Sequence, residues 1–294
     1  MHIDKRMAVC YHYDRGGKMA NFEIVIDNVA VFLSENDARP EAVLPMSFLI
    51  DGKVLKTLDR QVVFSAHQDE RAVRTQIVPK DSTLALEKLL DTGKDLLVIS
   101  VSSGLSESFA AAEYIVKGLR IKHPDRKILL VDSLSCGGGE GLLFALAKKW
   151  QAEGLDVEQV AEKLEEVKSR LHHVFFTPDT SLLSIGNVLQ TSIVNIKPIF
   201  DIALSGKACV LQKTMGKKKA LSDIVKYVSS TIATDICPTV LITSGVDTDA
   251  KVLGDGIKAQ VEGVNVVYAK ENDFVLTYLG EDAVTVCFFG ELRK

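Results

Sequence analysis

Long apolar runs, aromatic residues and paired cysteines are all scarce in this 294-residue chain. Aromatic residues make up 6% of it, and it contains one tryptophan. Its strand-like apolar runs, at residues 96–99, 128–131 and 284–289, are far shorter than the roughly 18 residues of a membrane helix. Residues 1–20 carry too many charged side chains for the apolar core of a secretion signal. We therefore predict a cytoplasmic protein with no stable insertion into a membrane.

The cysteine count, the histidine spacing and the net charge give little indication of disulfides, metal sites or nucleic-acid binding. The five cysteines are an odd number without a Cys-x-x-Cys pair, so we expect reduced thiols. The six histidines show no metal-ligand spacing, and the adjacent side chains of His172 and His173 diverge on any regular element. A formal net charge of −4 provides no general attraction to nucleic acid. We predict no metal, no cofactor and no nucleic-acid partner.

Hydrophobic residues make up 47% of the chain and follow alternating helix and strand patterns. Helices are predicted over residues 81–93 and 107–121, and each is followed by a continuous aliphatic run, at residues 96–99 and 128–131. Buried strands joined through a helix indicate parallel pairing. Two further strands are expected in the same sheet, at residues 22–27 and 43–50.

Two long helices come next and are interpreted as the bridge between two domains. The first runs from Gly138 past Trp150, and the second extends from Val157 to Leu171 with apolar residues at helical spacing. Beyond them, strand-like segments lie at residues 174–176, 196–200, 240–243, 264–267 and 284–289. Because the sequence contains no internal repeat, we predict a pair of unlike α/β domains.

Two loops that follow predicted strands are rich in serine and glycine. Residues 102–108 read Ser-Ser-Gly-Leu-Ser-Glu-Ser, and residues 132–141 read Asp-Ser-Leu-Ser-Cys-Gly-Gly-Gly-Glu-Gly. Ligands of parallel sheets gather at the carboxyl ends of the strands, and helix N-termini attract anions. A carboxylate or phosphate group would therefore fit there. The alternative is that these serines only cap helices.

The two serine- and glycine-rich loops do not match the sequence motifs of nucleotide binding or of covalent catalysis. Leu142 follows Gly141 where a phosphate-binding loop needs lysine and a hydroxyl residue, and the sixth-position glycine of a dinucleotide loop is missing. Ser108 replaces the second glycine of a hydrolase nucleophile elbow, and no histidine follows His173 as a late general base. We therefore predict no catalytic residues.

A lysine cluster stands at the start of a predicted helix, formed by Lys213 and residues 217–219. Lysines in a first helical turn oppose the helix dipole. We interpret the cluster either as a solvated face or as a docking surface for an acidic partner or a phosphorylated ligand.

Four short motifs, in order, resemble the DegV family of bacterial fatty-acid-binding proteins. They are the loop at residues 102–106, Val-Asp-Ser-Leu-Ser at 131–135, Ile-Lys-Pro-Ile at 196–199 and Gly-Lys-Lys-Lys-Ala at 216–220. The resemblance implies an α/β fold of two domains with the ligand between them. Residues 21–172 would hold a mainly parallel, Rossmann-like sheet and residues 173–294 a smaller mixed sheet. From their unusual composition, residues 1–20 are interpreted as a disordered extension or as the product of an upstream start codon.

The same resemblance implies a non-enzymatic carrier of one long-chain fatty acid, of about C14 to C18, which it presents to a separate fatty acid kinase. The acyl tail would lie in the second domain, and hydroxyl groups of the first would hold the carboxylate. The residues assigned to the carboxylate are Ser103, Ser106, Thr75, Arg74 and Tyr278. The residues expected around the ligand are Ser102, Gly104, Asp132, Ser133 and Asn187.

The chain departs from the family pattern at several polar positions. Where the family has Asp-Ser, this chain has Asp27-Asn28, and where the family has Thr-Ser-Gln-Pro, it has residues 74–77. Asn187 occupies the position of the arginine in the family's Gly-Gly-Arg motif. Residues 278–282 replace His-x-Gly-Pro-Gly.

Two other hypotheses stay open, because a fold does not determine a function. One is an enzyme acting on a small phosphorylated or carbonyl substrate, and the other is a lipid-responsive regulatory protein.

Overall fold

The computed structural model describes residues 21–33, 39–55, 59–69, 73–178, 196–245 and 247–293. The predicted extension at residues 1–20 lies outside the described residues. The strands are β1 (Phe22–Asp27), β2 (Val43–Leu44), β3 (Met46–Ile50), β4 (Lys53–Val54), β5 (Val73–Ile77), β6 (Asp95–Ser100), β7 (Ile128–Asp132), β8 (Leu171–Phe176), β9 (Ile196–Ile202), β10 (Ala208–Met215), β11 (Thr239–Ser244), β12 (Asn265–Lys270) and β13 (Val284–Phe289). The helices are α1 (Arg60–Gln68), α2 (Pro79–Leu90), α3 (Ser108–Lys122), α4 (Gly137–Ala152), α5 (Val157–Val167), α6 (Lys217–Thr231), α7 (Asp247–Gln260) and α8 (Asp273–Leu279).

A parallel sheet with strand order β2-β1-β6-β7 forms the centre of the first half. Its two central strands, β1 and β6, are almost completely buried because helices cover both faces. On β6, Leu96 and Val98 face the core made with α2 and α3, whereas Leu97 and Ile99 face α4 and α5. The predicted parallel sheet with crossover helices is confirmed.

A mixed sheet with strand order β10-β9-β8-β13-β11-β12 forms the second half. Strands β11 and β12 pair in parallel, and the other neighbours pair antiparallel. Helices α6 and α7 cover one face through Ile224 and Leu253. Helix α4 covers the other face, where Leu142 shares a core with Leu241 and Cys287. Helix α4 therefore touches both sheets, as predicted for a bridging helix, whereas α5, the second predicted bridge, packs against β6 and β7 of the parallel sheet.

The predicted α/β class, with one parallel and one mixed sheet, is confirmed. The mixed sheet has six strands against four in the parallel sheet, whereas a smaller sheet was expected. Five of these six strands were predicted as segments from the sequence, and the sixth is β10, an edge strand whose polar residues hide the period of a strand. Within the described part of the chain, no helix combines the length and apolar character needed to cross a membrane.

Two predicted elements are placed differently in the structure. Residues 46–50 leave the parallel sheet and form a separate antiparallel sheet, β4-β3-β5. Leu171 does not end a helix, because α5 stops at Val167 and a short 3₁₀ turn leads directly into β8. Leu171 lies in register with Phe289, so the pairing of β8 with β13 overrides the helical spacing.

Candidate functional site

A cavity of about 470 Å³ lies between the two halves of the chain, and we call it the intersheet cavity. This volume is within the range of roughly 300 to 1,000 Å³ that is usual for ligand sites. Val29 and Val101, which follow β1 and β6, place it beyond the carboxyl ends of parallel strands. Most of its wall is apolar, and its larger apolar side chains are Met46, Leu105, Phe175, Ile202, Phe274 and Leu279.

Three hydroxyl groups lie together on this wall, from Thr75, Ser106 and Tyr278, and we call them the hydroxyl cluster. Ser106 Oγ donates to the Thr75 carbonyl oxygen at 2.8 Å, and the two side-chain oxygens lie 3.4 Å apart. Tyr278 is hydrogen-bonded to the Thr75 side chain, and burial raises the pKa of its phenol. All three groups are therefore neutral at physiological pH, and the Ser106 proton, which is donated to the Thr75 carbonyl oxygen here, reaches a ligand only when that hydroxyl rotates.

The position of the hydroxyl cluster depends on elements that are distant in sequence. Thr75 lies on β5, Ser106 precedes α3, and Tyr278 lies on α8. The Ser106 loop is held in place because Ser108 Oγ lies 2.9 Å from Ser106 Oγ and accepts a hydrogen bond from the Ile77 amide at 3.1 Å. The serine-rich loop thus aligns β5 with the start of α3.

The loop at residues 102–106 also contacts the turn between β9 and β10 in the second half. Ser102 is buried and its hydroxyl donates to the Gly206 carbonyl oxygen at 2.7 Å. A Cβ on Gly104 would lie 2.4 Å from the Gly206 carbonyl carbon, so this approach requires glycine. Lys207, the next residue of the turn, lines the intersheet cavity. Ser102 and Gly104 therefore hold the two halves together at the cavity wall.

Several residues predicted for the ligand lie outside the cavity lining. Ser103 is exposed, and its amide donates to Asp132 Oδ1 at 3.2 Å. Asp132 also accepts from the Leu134 amide at 3.0 Å. Ser133 exchanges hydrogen bonds with the backbone of Ser135. These side chains shape the loops and are absent from the cavity lining. The helix-capping alternative is wrong for them, because the N-cap residues of α3 and α4 are Glu107 and Cys136 and neither forms a side-chain cap.

Arg74 and Asn187 are the two remaining predicted residues. Arg74 forms an exposed ion pair with Glu107 at 2.6 Å and is absent from the lining. Asn187 lies outside the described residues. The structure thus brings together Ser106, Thr75 and Tyr278, with Gly104 beside them, from the ten positions proposed from the sequence.

Sequence reasoning missed three polar residues of the wall, Lys207, Cys136 and His173. Burial raises the pKa of the Cys136 thiol well above its usual value, and the nearby carboxyl groups of Glu140 and Glu271 raise it further. Burial also lowers the pKa of His173 to about 4. A protonated thiol beside a neutral imidazole is not an activated nucleophile. The aliphatic neighbours in β8 were the only sequence signal that His173 is buried.

A pair of buried carboxyl groups was also missed, formed by Asp27 at the end of β1 and Glu140 in α4. Asp27 accepts hydrogen bonds from the amides of Val29 and Val101, at 3.1 and 2.8 Å. Burial raises the pKa of Asp27 to about 6 in spite of these bonds. Burial and the adjacent Asp27 charge raise the pKa of Glu140 well above its usual value. The pair is therefore most stable when at least one proton is bound to it.

The lysine cluster is partly neutralised by the fold. Lys217 forms an ion pair with Asp249 at 2.6 Å, and Lys219 pairs with Asp223 one turn along α6. These contacts reduce the unpaired positive charge that a docking surface would offer. Among the described residues, no group of three or more His, Cys, Asp and Glu side chains is arranged to hold a metal ion.

Comparisons with known proteins agree with the fold. The DegV domain-containing protein YteA of Lactococcus lactis is 25% identical over 245 residues, which are 81% of this chain and 84% of that protein. A solved DegV family protein from Ruminococcus gnavus, described with vaccenic acid, has a TM-score of 0.79 at 18% identity. The Fatty Acid Kinase B3 protein of Streptococcus pneumoniae, loaded with linoleic acid, has a TM-score of 0.77 at 18% identity. Both structures are matched over 92% of this chain and 100% of their own.

A family model described as "Uncharacterised protein, DegV family" matches residues 22–291. This match runs from the first residue of β1 to the segment after β13, and so includes both sheets and the hydroxyl cluster. The chain therefore belongs to the DegV family.

Proposed function

We propose that this protein binds one long-chain fatty acid in the intersheet cavity, with its carboxylate at the hydroxyl cluster. The observation that carries the proposal is an apolar cavity with three neutral hydroxyl groups at one place on its wall. Each buried methylene of an acyl tail contributes about 0.8 kcal/mol, so a chain of about 16 carbons gains enough to bind tightly after its ordering cost. Hydrogen bonds from hydroxyl groups to a charged oxygen are stronger than neutral ones.

The charge of the ligand also has a partner on the wall. Lys207 is the one lysine or arginine among the described residues that line the cavity, and it follows the turn that touches Gly104. Its ammonium group can attract the carboxylate without burial of the cation, because Lys207 is exposed. The solved relatives described with vaccenic and linoleic acid support the same ligand class.

We further propose that the protein is a carrier and does no chemistry on the acid itself. The polar groups of the described cavity wall include no thiolate, no metal site and no activated hydroxyl. One relative of the same fold is named as the B3 protein of a fatty acid kinase. A separate kinase would then act on the acid that this protein presents, and such a kinase is the proposed protein partner.

Mass spectrometry of the native protein, purified without added lipid, tests the ligand. We expect an additional mass that corresponds to a fatty acid of about C14 to C18. Calorimetric titration of the delipidated protein with palmitate should show one site per chain. A protein that carries no lipid and also fails to bind palmitate would contradict the proposal.

Replacing Ser106 with alanine is expected to weaken palmitate binding about 10- to 100-fold, because it removes a hydroxyl from a charged oxygen. The matched control is Ser103→Ala in the same loop, whose side chain lies outside the cavity lining and should leave the affinity unchanged. Calorimetry measures both variants, and thermal unfolding shows whether the Ser106 variant keeps its fold. Equal affinities for the two variants would remove Ser106 from the site.

A further inference from the structure

We propose that the turn at residues 203–207, between β9 and β10, is a gate through which the ligand enters and leaves the intersheet cavity, and that the Ser102 hydroxyl holds it closed. We call residues 203–207 the gate turn. This inference rests on the proposed fatty-acid binding and concerns the exchange of that ligand. It starts from the place where the cavity reaches solvent.

The mouth of the cavity is marked by residues that line it and also face solvent. Among the described lining residues, only Leu105 and Lys207 are exposed. Leu105 belongs to the loop at residues 102–106 of the first half, and Lys207 belongs to the gate turn of the second half. The cavity therefore reaches solvent where these two segments meet.

The two segments lie too close together for an acyl chain to pass between them in this structure. A Cβ on Gly104 would lie 2.4 Å from the Gly206 carbonyl carbon and 2.7 Å from the Lys207 amide nitrogen. Carbon atoms in contact are separated by about 3.5 to 4.0 Å, so no methylene group fits at this point. Passage of a ligand here requires the gate turn to move away from the loop.

The gate turn is held to the first half by few polar contacts. Its backbone bonds to itself, because the Ala203 amide donates to the Lys207 carbonyl oxygen at 2.9 Å and the Gly206 amide donates to the Ala203 carbonyl oxygen at 2.8 Å. Within the described part of the chain, its one hydrogen bond to the first half is donated by Ser102 Oγ to the Gly206 carbonyl oxygen, at 2.7 Å. Ser102 is therefore the latch of the gate turn.

The base of the gate turn is attached more firmly than its tip. The carbonyl oxygen of Ile202, the last residue of β9, accepts a hydrogen bond from Arg293 Nη1 at 2.7 Å. The same guanidinium group donates to the carbonyl oxygens of Leu134 and Lys168, at 3.1 and 2.8 Å. A tip held by one hydrogen bond on a fixed base can swing as a unit while the mixed sheet stays intact.

Replacing Ser102 with alanine is expected to speed up exchange in both directions. Ser102 does not line the cavity, so its hydroxyl closes the gate equally in the empty and in the loaded protein. The association and dissociation rate constants should therefore rise by the same factor, about 5-fold or more, while Kd stays within about 2-fold. Loss of a contact to the ligand would instead raise mainly the dissociation rate constant.

Stopped-flow fluorescence measures both rate constants on the full chain. The probe is cis-parinaric acid, a polyene fatty acid whose fluorescence rises in an apolar environment. Mixing it with delipidated protein gives the association rate constant, and displacing it with excess palmitate gives the dissociation rate constant. The ratio of the two is checked against Kd from an equilibrium titration.

The matched control is Ser133→Ala. Ser133 is likewise a buried loop serine, and its hydroxyl donates to the Ser135 carbonyl oxygen and accepts from the Ser135 amide, both at 3.1 Å. It is absent from the cavity lining, and its side chain bonds within its own loop. Its replacement should lower the thermal stability as much as that of Ser102, yet leave both rate constants unchanged.

A second variant narrows the mouth. Leu105→Trp places a larger side chain between the cavity and solvent and should lower the association rate constant. Leu84→Trp, at an exposed leucine of α2 outside the cavity lining, is its control and should leave that rate constant unchanged. If Ser102→Ala fails to fold, this pair decides the question by itself.

The gate is overturned if Ser102→Ala and Ser133→Ala have equal rate constants, or if Ser102→Ala raises only the dissociation rate constant. An association rate constant that is equal in Leu105→Trp and Leu84→Trp would also overturn it. These results leave the proposed fatty-acid binding intact, because the wild-type protein still binds the probe. A wild-type protein that binds neither cis-parinaric acid nor palmitate would overturn the proposed binding itself.

Discussion

Replacing Gly141 with alanine is expected to lower the free energy of unfolding by about 3 kcal/mol or more. Gly141 lies in the first half of α4, opposite the segment that follows β1. A Cβ at this position would lie 1.8 Å from the Val31 carbonyl oxygen and 2.8 Å from its carbonyl carbon. Both atoms belong to the backbone, so no side-chain rotation relieves the overlap.

The Val31 segment cannot easily move away from α4. Its amide donates to the Gly137 carbonyl oxygen at 3.0 Å, which attaches it to the first residue of the helix. On its other side, α4 packs against the mixed sheet, where a Cβ on Gly138 would already lie 3.2 Å from Cys287 Sγ. The glycine run therefore allows α4 to approach both the Val31 backbone and the mixed sheet closely.

Urea unfolding measures the effect, and Gly118→Ala is the matched control. Gly118 lies in α3 with nothing within 4 Å of its added Cβ, and it is exposed. There the same substitution should stabilise the protein by up to about 1 kcal/mol through helix propensity. A Gly141→Ala variant as stable as Gly118→Ala would contradict the prediction. It would show that the Val31 segment moves away from the added Cβ without loss of stability.

At pH 8 the Glu140→Gln variant is expected to be more stable than the wild type by about 2 kcal/mol. At this pH the wild-type protein must either bury two neighbouring charges, on Asp27 and Glu140, or keep one of the two carboxyl groups protonated. Both cost free energy, because a carboxyl group in water is ionised at pH 8. Glutamine has nearly the same shape, has no charge and can donate a hydrogen bond to Asp27. It therefore removes the unfavourable burial of charge without creating a cavity.

The pH dependence of this difference follows from the direction of the two pKa shifts. Both carboxyl groups have folded-state pKa values above their unfolded values of about 4, and Asp27 reaches about 6. The native state therefore binds more protons than the unfolded state above pH 4. The stability contributed by the protonated pair is fully present below about pH 4 and is lost as the pH rises through 6 and beyond.

Urea unfolding of both proteins from pH 4 to pH 8 checks this prediction. The difference in free energy should be close to zero at pH 4, where the wild-type pair is protonated, and should grow as the pH rises. Glu162→Gln, which removes an exposed charge from α5, should show no comparable trend. A difference that stays constant over this pH range would contradict a shared proton on the pair.

Much of the fold could be predicted from the sequence because it depends on local patterns. The aliphatic runs of β6 and β7 and the helix between them predicted a parallel crossover, and the structure confirms it. Predictions failed where pairing partners decide the outcome. The β3 segment has strand character, but the sequence does not show that it pairs with β5 outside the parallel sheet.

The candidate site could be predicted less well, and the serine loop shows why. The sequence placed hydroxyl groups at the end of a parallel strand, yet Ser103 and Ser106 looked equivalent there. Only the approach of β5 and α8 separates them, since Ser106 meets Thr75 whereas Ser103 turns toward Asp132. Likewise, the glycines after β7 resembled an anion-binding loop, although the packing of α4 explains them.

The sequence by itself determined the α/β class, the parallel crossover, the bridging helix and the family to which the chain belongs. These properties follow from side-chain periodicity and from short motifs, which are encoded within a few neighbouring residues. The tertiary structure decided which hydroxyl groups share a cavity, why the α4 segment contains so many glycines, and that Asp27 meets Glu140. Those outcomes depend on the distances between segments that are far apart in sequence. Such distances are set, to within about one ångström, by the packing of the whole chain.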